Sequence, residues 1–320
     1  MSSSFSDSLT MLAQRHALPD FTLTRFSSTE INCLTGKADT RFPLASVTKT
    51  FTSHLCLEPE LRPFLDVPLC ETIPSFKLQD PRASAEMTPR DALCHFSGIA
   101  PHTTDWFRCT LSRAEYVRER LPQLPAEGPF REKHRYSNLM YAVLGVWIEQ
   151  ITGISWEQQL GERILKPLKL DRTEVLDESW KGKAPPPHRR TESGILEEIP
   201  PFFARRGHLI APASEMLGSM RDLARWGQVL LELDPQDERW RPHNRVTPKQ
   251  SFPEFGPLDY GLGWRLDTVR GEPRYWHSGQ CSGYTTLLTL YPLRKTGMAA
   301  AVSRSEAVDA LQEADLLLHT

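Results

Sequence analysis

The chain is 320 residues long, 39% hydrophobic and 24% charged, with a net charge of −2. That length buries a large core in one domain or two lobes, and the near-neutral balance excludes a basic nucleic-acid surface or a charged tail. No stretch approaches the ~20 apolar residues of a membrane helix, and MSSSFSDSLTMLAQRHALPD lacks the basic start and apolar run of a signal peptide. A cytoplasmic location is therefore expected, with no membrane or nucleic-acid partner.

In chain order, a short N-terminal helix leads into FTLTRF (21–26), whose alternation and Thr/Phe content predict a strand. A second strand is expected within 31–36. From 43 to about 56 the pattern predicts a helix with Ser46 in its first turn. The proline-rich stretch 57–90 predicts loops with short helical pieces. The clearest helix follows Asn138, where Met140, Val143, Leu144, Trp147, Ile148 and Ile151 recur at three and four until Gly153 stops it. Another runs from Ser155, with Trp156, Leu160 and Ile164 inward, to Pro167. KGKAPPPHRRTESGILEEIPPFFARR (181–206) reads as a surface excursion within the fold. A helix over about 214–231 places Leu217, Met220, Leu223, Trp226 and Leu230 on one face.

The tail is β-rich, with GWRLDT from Gly263, PRYW from Pro273, YTTLLTLY from Tyr284 and GMAAAV from Gly297, closed by a helix over about 306–318. Strands at both ends with helices between predict an α/β fold of α+β type. Its antiparallel sheet is built from both termini, with flanking helices and a helical insert. Residues 1–320 are read as a single domain. An α/β lobe takes about 1–50 and 255–320, and a mostly helical lobe about 51–254.

Six cysteines (Cys33, Cys56, Cys70, Cys94, Cys109, Cys281) are scattered without a C-x-x-C, so free thiols are expected. No Cys/His cluster has metal-ligand spacing, so neither metal nor cofactor is expected. Chemistry concentrates in three short stretches: Ser46-Val47-Thr48-Lys49, Tyr136-Ser137-Asn138 and His277-Ser278-Gly279. Each has an ordinary reading. Ser46 can cap a helix, Tyr136 can be a core phenol, Asn138 is a natural N-cap and His277 can end a strand. One helical turn, however, puts Ser46 and Lys49 on one face, so Lys49 could take the proton a nucleophilic Ser46 must lose.

In this order and context the three stretches resemble the serine hydrolases of the class C β-lactamase, D,D-peptidase and family VIII esterase group. MTPRDALCHFSGI (87–99), YSNLMYAVLGVWIEQITGISW (136–156), SMRDLARW and YGLGW are similar to the same family's segments, so the likeness covers roughly residues 20–305. It implies a β-lactamase/transpeptidase-like fold and an acyl-enzyme on Ser46, with Lys49 and Tyr136 handling its proton. By the same resemblance Asn138 would donate to the substrate carbonyl or to Lys49, and the backbone N–H groups of Ser46 and Gln280 would form the oxyanion hole. His277 and Ser278 would contact substrate. His95 reads as a structural hydrogen-bonder and Cys281 as a small filler, while Trp264 and Tyr284 line either the acyl pocket or the core.

The third stretch has histidine where typical β-lactamases of the resemblance carry lysine. A neutral imidazole supplies no permanent counter-charge for a carboxylate, which points to neutral esters or thioesters of a small metabolite. The expected partners are thus a small-molecule acyl substrate and an acyl acceptor or carrier. D-amino-acid peptidase, amidase or β-lactamase-like hydrolysis is the alternative. A non-catalytic scaffold is a further one, disfavoured because all three motifs are complete.

Overall fold

The computed structural model describes residues 3–101, 103–107, 109–176, 182–201, 209–247 and 252–319. In chain order its strands are β1 (Thr22–Ser27), β2 (Ile31–Thr35), β3 (Arg41–Pro43), β4 (Glu174–Val175), β5 (His188–Arg190), β6 (Leu196–Glu198) and β7 (Met216–Ser219). There follow β8 (Asn244–Arg245), β9 (Asp259–Tyr260), β10 (Arg265–Val269), β11 (Glu272–Cys281), β12 (Tyr284–Tyr291) and β13 (Thr296–Val302). Eight of them make one antiparallel sheet in the order β2-β1-β13-β12-β11-β10-β9-β8. The N-terminal strands therefore zip onto the last strand of the chain, as the strand pattern at the two ends predicts. A small sheet β3-β7-β4 is separate from it, and the hairpin β5-β6 hydrogen-bonds through His188 to Ser303 and Ser305, just past β13.

The helices are α1 (Ser3–His16), α2 (Thr48–Cys56), α3 (Leu69–Thr72), α4 (Pro81–Glu86), α5 (Pro89–Leu93), α6 (Thr103–Phe107) and α7 (Arg113–Glu119). Then come α8 (Asn138–Thr152), α9 (Trp156–Leu160), α10 (Ala211–Ser214), α11 (Met220–Leu231) and α12 (Val308–Leu318). Every residue of β12 is buried, because helices cover both faces of the sheet. On one face α11 packs through Phe26, whose ring fills the space a Cβ would need at both Gly227 and Gly297. On the other, Asp315 of α12 accepts from Arg274 (3.0 Å), Thr289 (2.9 Å) and Tyr291 (2.8 Å), and Arg274 also holds Asp267. Buried charges persist there because each is paired and hydrogen-bonded.

α8 is apolar all round because it runs through the middle of the helical part, touched by α2, α3, α5, α7, α9 and α10. It ends at Gly153, whose φ of +70° provides the left-handed cap that a side chain disfavours. The proline-rich stretch folds into α3, α4 and α5. Asp80 and Thr88 accept from the helix N–H groups, and a proline follows each of them.

Two sequence expectations are corrected. The apolar face over 214–231 is not one helix: Met216–Ser219 form β7, and Ser219 then caps α11 by accepting from Asp222 N at 3.1 Å. Leu217 belongs to the strand, paired with Pro43 and Glu174. The helix expected from 43 begins later, because Pro43 ends β3 and a 3₁₀ turn Ala45–Val47 precedes α2. The helix expected from Ser155 is present, capped by Ser155 with Trp156, Leu160 and Ile164 buried, and it continues past α9 as a π-helical turn, Gly161–Leu165. Of the excursion at 181–206, Lys181 and residues 202–206 lie outside the described residues, and the remainder contains the β5-β6 hairpin.

Candidate active site

β11 outruns its neighbour. β10 starts at Arg265 opposite Trp276, so residues 277–281 pair with β12 and leave their other edge open. The 3₁₀ turn bearing Ser46 packs on the face of the sheet over β11 and β12 at this same stretch. Contact is so close that a Cβ on Gly279 would sit 2.0 Å from the Leu44 carbonyl oxygen, which is why the third motif needs glycine there. Ala45 is held at φ +45°, a strained left-handed conformation for a residue with a side chain. Anchors on both sides maintain it: Leu44 N donates to Met216 O (2.7 Å) and Thr286 Oγ1 to Pro43 O (3.1 Å).

Lys49 follows one turn later on α2 and is fully buried. Its Nζ donates to Ser46 Oγ (3.2 Å), Asn138 Oδ1 (2.7 Å) and Ala213 O (2.9 Å). An ammonium has three protons, so all three are used; a neutral amine would turn its lone pair to one of these partners, and only Ser46 can donate to it. Burial holds Lys49 well below its ordinary range, and the charge of Arg265 lowers it further. The Tyr136 and Tyr141 rings lie 4.7 and 5.1 Å from Nζ.

Tyr136 is pushed up to about 12 by burial, while a hydrogen bond with Ser46 and the Arg265 charge pull it down. His95 clamps the loop that carries this phenol. Its Nδ1 accepts from Ser137 N (3.2 Å), its carbonyl accepts from Arg135 N (2.9 Å), and its ring stands 4.2 Å from that of Tyr136. Accepting at Nδ1 assigns the ring proton to Nε2. The structural role expected for His95 thus takes a definite form.

His277 is 1% exposed and both its ring nitrogens are engaged: Tyr260 O–H at 2.9 Å from Nε2, and the Ser278 carbonyl at 2.8 Å from Nδ1. It is therefore not the free substrate anchor the sequence suggested, and burial holds it neutral. Ser278 is half-buried and Gln280 exposed on the open edge of β11. Trp264 and Tyr284 are core residues. The first packs edge-on against Trp240, and the second donates to Pro185 O at 2.6 Å. The Cys281 thiol is pushed up to about 12 by burial, which leaves it unreactive near neutrality.

The β-lactamase family model matches residues 35–320. The chain belongs to the β-lactamase family. It is 26% identical over 279 residues to penicillin-binding protein 4 of Amycolatopsis lactamdurans, covering 82% of this chain and 72% of that one. It is 24% identical over 295 residues to the unguisins hydrolase ungD of Aspergillus violaceofuscus, covering 82% and 52%. The chain thus spans about half the length of the latter, as it does of Staphylococcus aureus protein flp. Among solved structures, the D-stereospecific amidohydrolase of a Streptomyces species superposes with a TM-score of 0.76 at 21% identity over 98% of both chains. The D-amino acid amidase of Ochrobactrum anthropi SV3 gives 0.77 at 18% identity over 99% and 100%. These likenesses show a β-lactamase/transpeptidase-like fold.

Two parts of the site escaped sequence reading. The Ala213 carbonyl comes from α10, a short turn with no motif of its own. Arg265 directly follows YGLGW and stands over the Trp276 ring at 5.1 Å, its Nε buried without a partner. Its positive charge lowers Lys49, Tyr136, His95, His134 and His277 alike, and no ion pair neutralises it among the described residues. A cation continuing a strand from a family segment was the available signal.

Proposed function

We propose that the protein transfers acyl groups through an acyl-enzyme on Ser46, by hydrolysis or transacylation of an ester or thioester of a small metabolite. The observation that carries the reading is the buried, proton-poor Lys49 held 3.2 Å from Ser46 Oγ by two other acceptors. In the proposed first step the Ser46 proton passes to Lys49 Nζ while Oγ bonds to the acyl carbon, and the carbonyl π electrons move to its oxygen. Backbone N–H groups of Ser46 and Gln280 would receive that oxyanion. Collapse breaks the bond to the leaving group, which takes a proton from the Tyr136 phenol; Lys49 returns the proton to Tyr136. Water or an acceptor then gives its proton to Lys49 as it attacks the acyl carbon, and the acyl–Oγ bond breaks as Oγ takes that proton, which frees Ser46. Tyr136 suits the donor part because its proton is retained to about 12.

A second reading has an observation of its own. Arg265 supplies the permanent positive charge that His277 does not, which favours substrates with a carboxylate beside the scissile bond, as in D-peptides or β-lactams. The amidase names of two structural neighbours agree with amide hydrolysis. Incubation with p-nitrophenyl acetate or a fluorophosphonate, followed by mass spectrometry, tests the shared step. An adduct on the Ser46 peptide is expected, and labelling elsewhere or none at all would refute it. Turnover of matched neutral and carboxylate-bearing esters separates the two readings.

A further inference from the structure

A cavity of about 590 Å³ opens between the β5-β6 hairpin and the turn that follows β11. Arg190, Glu197, Glu198, Ser282, Arg304 and Glu306 contribute to its lining. Arg304, two residues past β13, is 5% exposed and forms the floor. Two of its five N–H donors go to the backbone carbonyls of His16 (2.5 Å) and Glu306 (3.4 Å), and its buried Nε has no partner. Among the described residues neither Arg304 nor Arg190 has a carboxylate within ion-pair distance. Glu197 is taken by Arg189 at 3.0 Å, and Glu197, Glu198 and Glu306 are all exposed at the rim.

Depth decides which charge dominates. The rim carboxylates face water and are screened, the pull of Glu306 on Arg304 included, whereas the floor guanidinium is largely desolvated with no carboxylate in ion-pair contact. Arg190 lines the same cavity from β5, its Nε donating to Gly194 O at 3.2 Å, and adds a second positive charge that disfavours the protonated Arg304. Two guanidiniums converging on one cavity, one of them desolvated, match the geometry of an oxyanion. Position along the sheet connects the cavity to Ser46. Ser282 lies two residues beyond Gln280, about 7 Å further along the direction of β11 at ordinary strand rise.

We propose that this cavity binds an anionic group, a carboxylate or a phosphate, carried at the far end of the acyl chain that Ser46 takes up. The second half of the statement rests on the acyl-transfer reading above, and the test treats the two halves separately. Free adipate and inorganic phosphate are titrated calorimetrically into the full chain, wild type and Arg190→Glu. In parallel, kcat/KM is compared for p-nitrophenyl monoesters of succinate, adipate and suberate and for methyl-ended esters of equal length. Saturable binding of one probe is expected, weakened about tenfold or more by Arg190→Glu, the range of one charge-assisted hydrogen bond. The probe that binds distinguishes carboxylate from phosphate. At one chain length the acid-ended ester should exceed its neutral counterpart about tenfold, and Arg190→Glu should erase that ratio. No binding, or binding indifferent to Arg190→Glu, overturns the site. Binding without preference for any acid-ended ester overturns its link to the acyl chain. If no ester acylates Ser46, the hydrolase reading falls instead, and calorimetry alone decides the cavity.

Discussion

In Gly279→Ala the new Cβ would stand 2.0 Å from the Leu44 carbonyl oxygen, 3.0 Å from its carbon and 3.2 Å from Ala45 Cβ. Ordinary contact starts near 3.4 Å, so one side must retreat by roughly 1 Å or more. β11 is fixed by its ladder with β12, whereas the turn is short and strained at Ala45, so the turn is the side that moves. Ser46 is two residues from Leu44 and travels with it. A shift of that size takes Ser46 Oγ out of hydrogen-bond range of Lys49 Nζ, now at 3.2 Å. Misplacement on that scale costs about 10²-fold in rate, and overpacking costs about 1–3 kcal/mol in stability. The assay is kcat/KM with a p-nitrophenyl ester alongside a thermal melt. The loss should fall mainly in kcat, because the acyl chain's own contacts are untouched. If Gly279→Ala keeps activity within about threefold of wild type, the close Leu44–Gly279 approach does not set the nucleophile.

Ser46→Ala should abolish acyl-enzyme formation with a loss of at least ~10³-fold in turnover while the protein still melts cooperatively, read by intact mass and calorimetry. Lys49→Ala, Tyr136→Phe and their double variant should lose similar activity, and additive losses would show independent roles. Activity should rise with pH as Lys49 releases its proton, with Tyr136 still protonated up to about 12, so the acid limb alone should appear across the usable range. The same depressed Lys49 has a stability consequence. The unfolded chain binds this proton more tightly than the folded one, so the penalty is fully present below the folded value and fades as pH climbs to the ordinary 10.5. Wild type should therefore gain stability relative to Lys49→Met as pH rises, measured by paired denaturant melts, and a flat difference would contradict a buried, proton-poor lysine. Arg265→Ala should reduce kcat/KM for an ester with a carboxylate beside the scissile bond by about tenfold more than for its neutral analogue; equal losses would remove Arg265 from substrate recognition.

Local pattern determined much of this protein. The 3.6-residue recurrence after Asn138 gave α8 and its stop at Gly153, and the alternation in FTLTRF and the β-rich tail gave the main sheet, because these signals come from burial along one element. Motif order placed Ser46, Lys49, Tyr136 and Asn138 within one resemblance, and the fold brings Lys49 to Ser46, to the Tyr136 ring and, across 89 residues of sequence, to Asn138. Where two periods agree by accident, sequence misled: Leu217 continues the apolar face of α11 yet lies in β7, since only the pairing with β3 and β4 reveals the strand. Charge placement was beyond reach in the same way. Whether His277 faces substrate or Tyr260, and whether Arg265 casts its field over Lys49, depends on how strands β9 to β11 end relative to one another. Register and strand length are decided by partners distant in the chain, so only the folded structure could show that the histidine is spent on the wall and the positive charge comes from the arginine.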